Sequence, residues 1–313
     1  MTKAISGKKK IRWHIAAFLL PAVMVYALIM ILPLLATLKL SLYDEINSTV
    51  MFVGLENFKK LFTDPNWSEP FWNALINNIW LFVIHMCVQN PIGILLAALL
   101  SSPRLMLRGF YHSAIILPSL LSLVVAGLVW KLILSPLWGV APSLLELVGL
   151  ESLFLPWLGK EAYAMTTLSL VSVWQYIGIP MMLIYSAMLS IPDQILEAGE
   201  CDGLTGFPAF WKIKLPLILP TIGIISILTF IANFSAFDLI YASQGLLAGP
   251  NFSTDILGTF MFRTLFGSQL QLGDAHMAAT IAAVMFVIIL VGVCVYLFGI
   301  HRRLRRYRFQ GTA

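Results

Sequence analysis

Two groups of side chains have the type and spacing for chemistry inside an apolar chain. Ser172, Gln175 and Tyr176 fall at i, i+3 and i+4, so a helix presents them on one face. Thr229 and Asn233 repeat that spacing on a second apolar stretch. All are uncharged hydrogen-bonding groups, and one is aromatic. Polar groups in hydrocarbon are costly unless they face a cavity or a partner helix. Hydroxyl and amide groups beside a ring suit a neutral polyol or sugar, whose hydroxyls need partners and whose apolar face stacks on rings. The competing reading is helix–helix hydrogen bonding. His85 and Gln89 also share a face and are read as core packing. Asp238 is placed at the outer end of its span, and His276 is read as solvated just before the last apolar run. Trp130, Trp157 and Trp174 are read as interface or packing aromatics.

Catalytic chemistry finds no support. The chain has no G-x-x-x-x-G-K-[ST] phosphate loop, no H-E-x-x-H and no G-x-S-x-G elbow. No His/Cys cluster has metal-ligand spacing, so no metal site is expected. Cys87, Cys201 and Cys294 are read as free thiols.

The elements that must position these residues follow from composition. Of 313 residues, 59% are hydrophobic and 11% charged, against about 25% charged in a soluble domain. Apolar runs of about 20 residues, the length that crosses a bilayer, recur along the chain. They lack the two-residue alternation of a membrane barrel. The fold class is therefore an all-α membrane protein with six transmembrane helices, at about 15–40, 74–100, 110–134, 163–188, 216–239 and 278–300. The first apolar run is too long for a cleaved signal and reads as a retained span. The stretches 54–67 and 137–160 read as short interfacial helices. Asn47, Asn66 and Asn251 begin N-x-[ST] triplets, read as chance.

Basic residues set the orientation. Lys3, Lys8, Lys9, Lys10 and Arg12 precede the first span; Arg104 and Arg108 follow the second; Lys212 and Lys214 precede the fifth. Arg302, Arg303, Arg305, Arg306 and Arg308 follow the sixth. The opposite loops, though longer, carry only Lys39, Lys59, Lys60, Lys131, Lys160 and Arg263. The positive-inside rule then puts the tails 1–14 and 301–313 and the loop 190–215 in the cytoplasm. The net charge of +5 sits at membrane edges, which argues against nucleic acid as a partner.

The loop 190–215 interrupts the apolar chain with "EAGECDGLTGFPAFWKIKLPLILP" (197–220). Ser190 and Asp193 fit an S-x-x-D cap with Pro192 in the first turn, so a short helix is expected over about 192–202. Gly203 suits a left-handed C-terminal cap. Thr205 and Pro208 would open a second short helix.

Glu197, Ala198, Asp202, Gly203, Phe210, Ile213, Leu215, Pro216 and Pro220 resemble the "EAA…DG…I-LP" loop of ABC-importer permease subunits. The chain departs from it at Gly199, the third EAA position, and at Leu204, where a small residue is usual. "FVGLENFKKLF" (52–62), "RGFYHSAIILP" (108–118), "FDLIYASQG" (237–245) and "RTLF" (263–266) are similar to the carbohydrate branch, the maltose- and glycerol-phosphate-type permeases. The usual "LTGGGP" is replaced by "ASQGLLAGP". The resemblance implies a bacterial cytoplasmic-membrane subunit that imports a sugar, an oligosaccharide for preference, with glycerol phosphate or a polyol as the alternative solute. It implies a second permease subunit, two ATPase subunits that bind ATP and Mg, and an extracytoplasmic solute-binding protein. No cofactor is expected in this chain. It further implies that Glu197, Ala198, Gly199, Asp202, Gly203 and Phe210 couple the chain to the ATPase, and that Asn233, Gln175, Tyr176, Ser172 and Thr229 meet the substrate. A stand-alone secondary transporter would show internal repeats and ionisable residues at the midplane. A membrane-embedded enzyme would show a catalytic cluster.

Overall fold

The computed structural model describes residues 13–46, 49–102, 105–150, 152, 154–269 and 271–300. The basic tails, Asn47 and Arg104 lie outside these. The architecture is helical, with one small antiparallel hairpin among the described residues, Tyr43–Ile46 paired with Thr49–Phe52. Among the described residues, four helices are long and apolar enough to cross a membrane: Ala17–Leu40, Pro65–Leu100, Gly206–Phe234 and Ala275–Gly299. Two bent pairs complete six spans: Arg108–Leu120 with Leu123–Ile133, and Glu161–Tyr176 with Gly178–Leu189. We number the spans one to six in chain order.

The second span is the organising element. It begins at Pro65, where the Asp64 carboxylate accepts from the Asn66 N–H and Pro65 sits in the first turn, a position where the missing N–H costs nothing. One half packs Phe71 and Ala74 against Phe234 of span five, Phe260, and Met277 and Ile281 of span six. The other half packs Ala97 and Leu100 against Met181, Ile184 and Met188 of span four and Ile218 and Ile225 of span five. Close approach to span four is possible because residue 93 is glycine; a Cβ there would lie 3.3 Å from the Met181 nitrogen. Spans one and three, by contrast, present mostly apolar side chains outward.

Several expectations need correction. Span three is not one rod: its halves meet at 96°, with Pro118 in a 3-10 turn and Leu121 and Ser122 extended. Span four bends by 43° around Ile177. Helix Asp193–Cys201 forms, and Gly203 closes it at φ +78°. However, no side chain caps its start, because the Ser190 hydroxyl donates back to the Ala187 carbonyl at 2.7 Å. The second loop helix is not separate: it runs from Gly206 through a π turn, Phe210–Lys214, straight into span five. Pro216 lies ten residues inside that continuous helix and does not break it. The hairpin was not foreseen. Its neighbour Asn57, on the amphipathic helix Glu56–Thr63, is buried and donates to the carbonyls of Ser41 (3.2 Å) and Tyr43 (2.8 Å), tying the hairpin down. His276 is buried rather than solvated, its Nδ1 3.4 Å from the Leu40 carbonyl.

Candidate substrate cavity and coupling loop

A cavity of about 330 Å³ opens between spans two, four and five, within the roughly 300–1,000 Å³ range of small-molecule sites. Of the five residues expected to meet substrate, Ser172, Tyr176, Thr229 and Asn233 line it. The i, i+4 spacing on spans four and five turns both pairs toward the same space. Apolar walls come from Leu81, Ile179, Leu228 and Phe237. Neither lysine nor arginine is among the lining residues.

Gln175 is the exception. Its side chain is fully buried and away from the cavity, with Nε2 donating to the Leu121 carbonyl at 3.0 Å. Leu121 sits at the bend of span three, where the helix ladder is interrupted. Gln175 therefore satisfies a carbonyl that the bend sets free, and holds spans three and four together.

Span two contributes what the spacing argument assigned to packing. A π turn over His85–Gln89 widens the helix there and brings both residues to the cavity wall. His85 Nδ1 lies 2.8 Å from the Leu81 carbonyl and Nε2 lies 3.1 Å from the Ser172 hydroxyl oxygen. A carbonyl only accepts, so Nδ1 carries the proton that points at Leu81. In the neutral ring Nε2 then accepts the Ser172 hydroxyl. Asn90 donates to the Thr229 hydroxyl oxygen at 3.4 Å.

Asn233 is held from two sides: its Nδ2 donates to the Thr229 carbonyl at 2.7 Å, and its own carbonyl accepts from Asn78 Nδ2 at 2.7 Å. Asn78 also accepts the Leu257 N–H, at 2.8 Å. Asn78 of span two thus braces the end of span five against Leu257. Next to it Asn77, and a turn before that Asn73, donate to the carbonyls of Phe252, Ser253 and Asp255. Asp255 and Arg263 form a buried 2.6 Å ion pair, which closes this end of the molecule. Asp238 does not end span five. The helix stops at Phe234, and Asp238 begins a new helix, Asp238–Gln244, at the cavity mouth.

The loop between spans four and five presents a different surface. Glu197, Ala198 and Asp202 are exposed, and Gly199 is buried against Ile213. Phe207 and Trp211 are also exposed, their rings edge to face with centroids 5.9 Å apart, and Trp211 meets Phe210 at 5.8 Å. Among the described residues, none forms a hydrogen bond or ion pair with the Glu197 carboxylate. The loop therefore offers a free carboxylate and an aromatic ridge on one projection.

Residues 89–306 match the family described as binding-protein-dependent transport system inner membrane component. The probable ABC transporter permease protein YurN of Bacillus subtilis is 30% identical over 271 residues, 86% of this chain and 90% of that protein. The lactose transport system permease protein LacF of Rhizobium radiobacter is 29% identical, covering 80% of this chain and 82% of that one. Among solved structures, a chain of the bacterial alginate ABC transporter, crystallised with its alginate pentasaccharide-bound periplasmic protein, superposes with a TM-score of 0.76 at 21% identity. That match covers 91% of this chain and 92% of that one, and it establishes the shared fold. The chain belongs to the family of binding-protein-dependent transport system inner membrane components.

Proposed function

We propose that this chain is a transmembrane subunit of an ATP-driven importer that carries a sugar across the cytoplasmic membrane. The observation that carries the reading is the cavity: uncharged hydroxyl and amide groups from spans four and five converge on one space with an aromatic ring and apolar walls. Curated relatives named for lactose and for multiple sugars support the substrate class. A phosphate-bearing solute finds no cation among the lining residues, so a neutral sugar fits better than glycerol phosphate.

In this reading an extracytoplasmic binding protein delivers the sugar, a second permease subunit closes the pathway, and two ATPase subunits bind ATP and Mg. The loop 190–215 faces the cytoplasm with both termini. There, Glu197 pairs with a basic group of the ATPase while Phe207 and Trp211 seat in an apolar cleft. Rotation of the docked loop passes directly to span five, because Gly206–Phe234 is one continuous helix. The cavity-lining Thr229 and Asn233 ride on that helix.

The reading is tested by reconstituting the complete importer in liposomes and following labelled lactose, maltose and trehalose. Uptake of one of them that needs both ATP and the binding protein is expected. Uptake driven by an ion gradient without ATP would refute the assignment. An impermeant thiol reagent gives the orientation: a single cysteine at Asn66 or Asn251 should label from outside, and one at Thr205 only after permeabilisation.

A further inference from the structure

Gln89 lies on span two, in the π turn that faces the cavity. It is about nineteen-twentieths buried, at 5% exposure, and its carbonyl oxygen Oε1 has no hydrogen-bond partner. Buried polar atoms are nearly always paired, and an orphan calls for a reason. Packing alone supplies none, since leucine would fill a similar volume without the penalty. π turns recur at functional sites because they swing side chains out of the regular ladder, and this one carries His85 and Gln89 together to the same wall.

The hydroxyl of Ser172 adds a second clue. With its proton directed at His85 Nε2, the Ser172 oxygen has only lone pairs to offer the cavity. The carboxylate of Asp238 at the mouth offers acceptors alone, and it lies within electrostatic reach of Tyr176. All three groups line the same cavity as acceptors, and of the three Gln89 Oε1 is the one buried without a partner. The missing complement is a ligand rich in hydroxyl donors.

We propose that Gln89 on span two is a substrate-contacting residue, its Oε1 accepting a hydroxyl of the transported sugar, while His85 acts as a positioning residue that keeps Ser172 turned as an acceptor. This rests on the sugar-import reading above and extends the site from two helices to three.

The test separates contact from packing by the opposite signs they give. Gln89→Leu removes the orphan acceptor at similar volume. Equilibrium dialysis of labelled maltose, lactose and trehalose against the purified, nucleotide-trapped importer, without binding protein, measures cavity affinity. The expected result is a roughly 5–100-fold weaker affinity for whichever sugar the wild type holds best, the scale of a buried group left unpaired. The midpoint of thermal unfolding without sugar should stay level or rise. Wild-type affinity in Gln89→Leu would overturn the proposal. Should that variant fail to assemble, Gln89→Met, of similar length and without a strong acceptor, makes the same comparison. For His85, His85→Phe should weaken binding less than Gln89→Leu does, and His85→Asn should restore part of the loss; equal affinity in all three would overturn the positioning role. If the wild type binds none of the sugars in its cavity yet still imports one with ATP and binding protein, the proposal falls and the import reading stands. If no sugar is imported at all, both fall.

Discussion

Gly199 stands where the motif it resembles carries alanine, and the structure shows what that exchange must overcome. The residue lies inside helix Asp193–Cys201, buried against Ile213 in the π turn Phe210–Lys214. A Cβ built there would come within 2.3 Å of Ile213 Cδ1, far inside van der Waals contact. Alanine would favour the helix over glycine by about 1 kcal/mol. Against this, Ile213 must leave its rotamer well, at a cost of about 0.5–1.5 kcal/mol. The two effects nearly cancel, so Gly199→Ala alone should change the local stability of the loop helix by less than about 0.5 kcal/mol. Ile213→Val deletes the clashing methyl and by itself costs about 0.5–1.5 kcal/mol. In the valine background Gly199→Ala meets no obstruction and should recover the full helix gain of about 1 kcal/mol. Hydrogen exchange of the 193–204 amides reads this directly. Exchange should slow about fivefold when Gly199→Ala is added to Ile213→Val, since each 1.4 kcal/mol is tenfold. It should change by less than about twofold when Gly199→Ala is made alone. Equal slowing in both backgrounds would show that residues 199 and 213 do not contend for the same space, and the packing of the loop on span five would be wrong.

Four further perturbations follow from the same geometry. Glu197→Ala should weaken co-purification of the ATPase or uncouple its hydrolysis from uptake, as removing one partner of a desolvated charge pair costs about 2–5 kcal/mol. Gly203→Val should act similarly by straining a residue held at φ +78°, and normal association and stimulation in both would sink the docking role. Asn78→Leu strands the Asn233 carbonyl and the Leu257 N–H, each at about 1–3 kcal/mol; a lower unfolding midpoint of the purified chain is expected, and an unchanged one would refute the brace. Arg263→Met leaves Asp255 buried and unpaired at about 3–5 kcal/mol, whereas Arg263→Met with Asp255→Leu should regain most of that loss; a double variant as unstable as the single would show that the pair's geometry, not its charge balance, holds that end together.

The spans were legible because the bilayer imposes a simple length rule on apolar sequence. Their bends were not, since an apolar run reads the same straight or folded. Span three shows why. Pro118 and Ser122 hint at a break, but a 96° turn persists only because something outside the helix takes up the freed carbonyl. That group is Gln175, 54 positions later. The spacing that placed Gln175 beside Ser172 and Tyr176 was correct as helix geometry. The structure gives it a different partner: Gln175 sits one residue round the helix from Tyr176, and that rotation turns it from the cavity to the bend.

The same reasoning explains the opposite outcome at His85 and Gln89. Their i, i+4 relation holds for an α-helix with either packing or a cavity on that face. What decides between them is the partner 87 residues away, Ser172, and a local change of helical pitch that leaves no mark in hydropathy. Loop residues were easier to place than span residues because glycine and proline act through the backbone nearby. Gly203 needs no distant partner to adopt φ +78°. Gly93 does need one: its lack of a Cβ matters only because the Met181 backbone lies against it. A glycine or polar side chain inside a span therefore announces an exception to the lipid-facing rule, and the helix that packs against it determines whether the exception serves contact, a bend or a binding wall. In this chain span two supplies that opposing surface for both ends of the cavity. Its Asn78 holds Asn233, its π turn meets Ser172, and Gly93 admits span four, so a shift of span five against span two must change the cavity's shape.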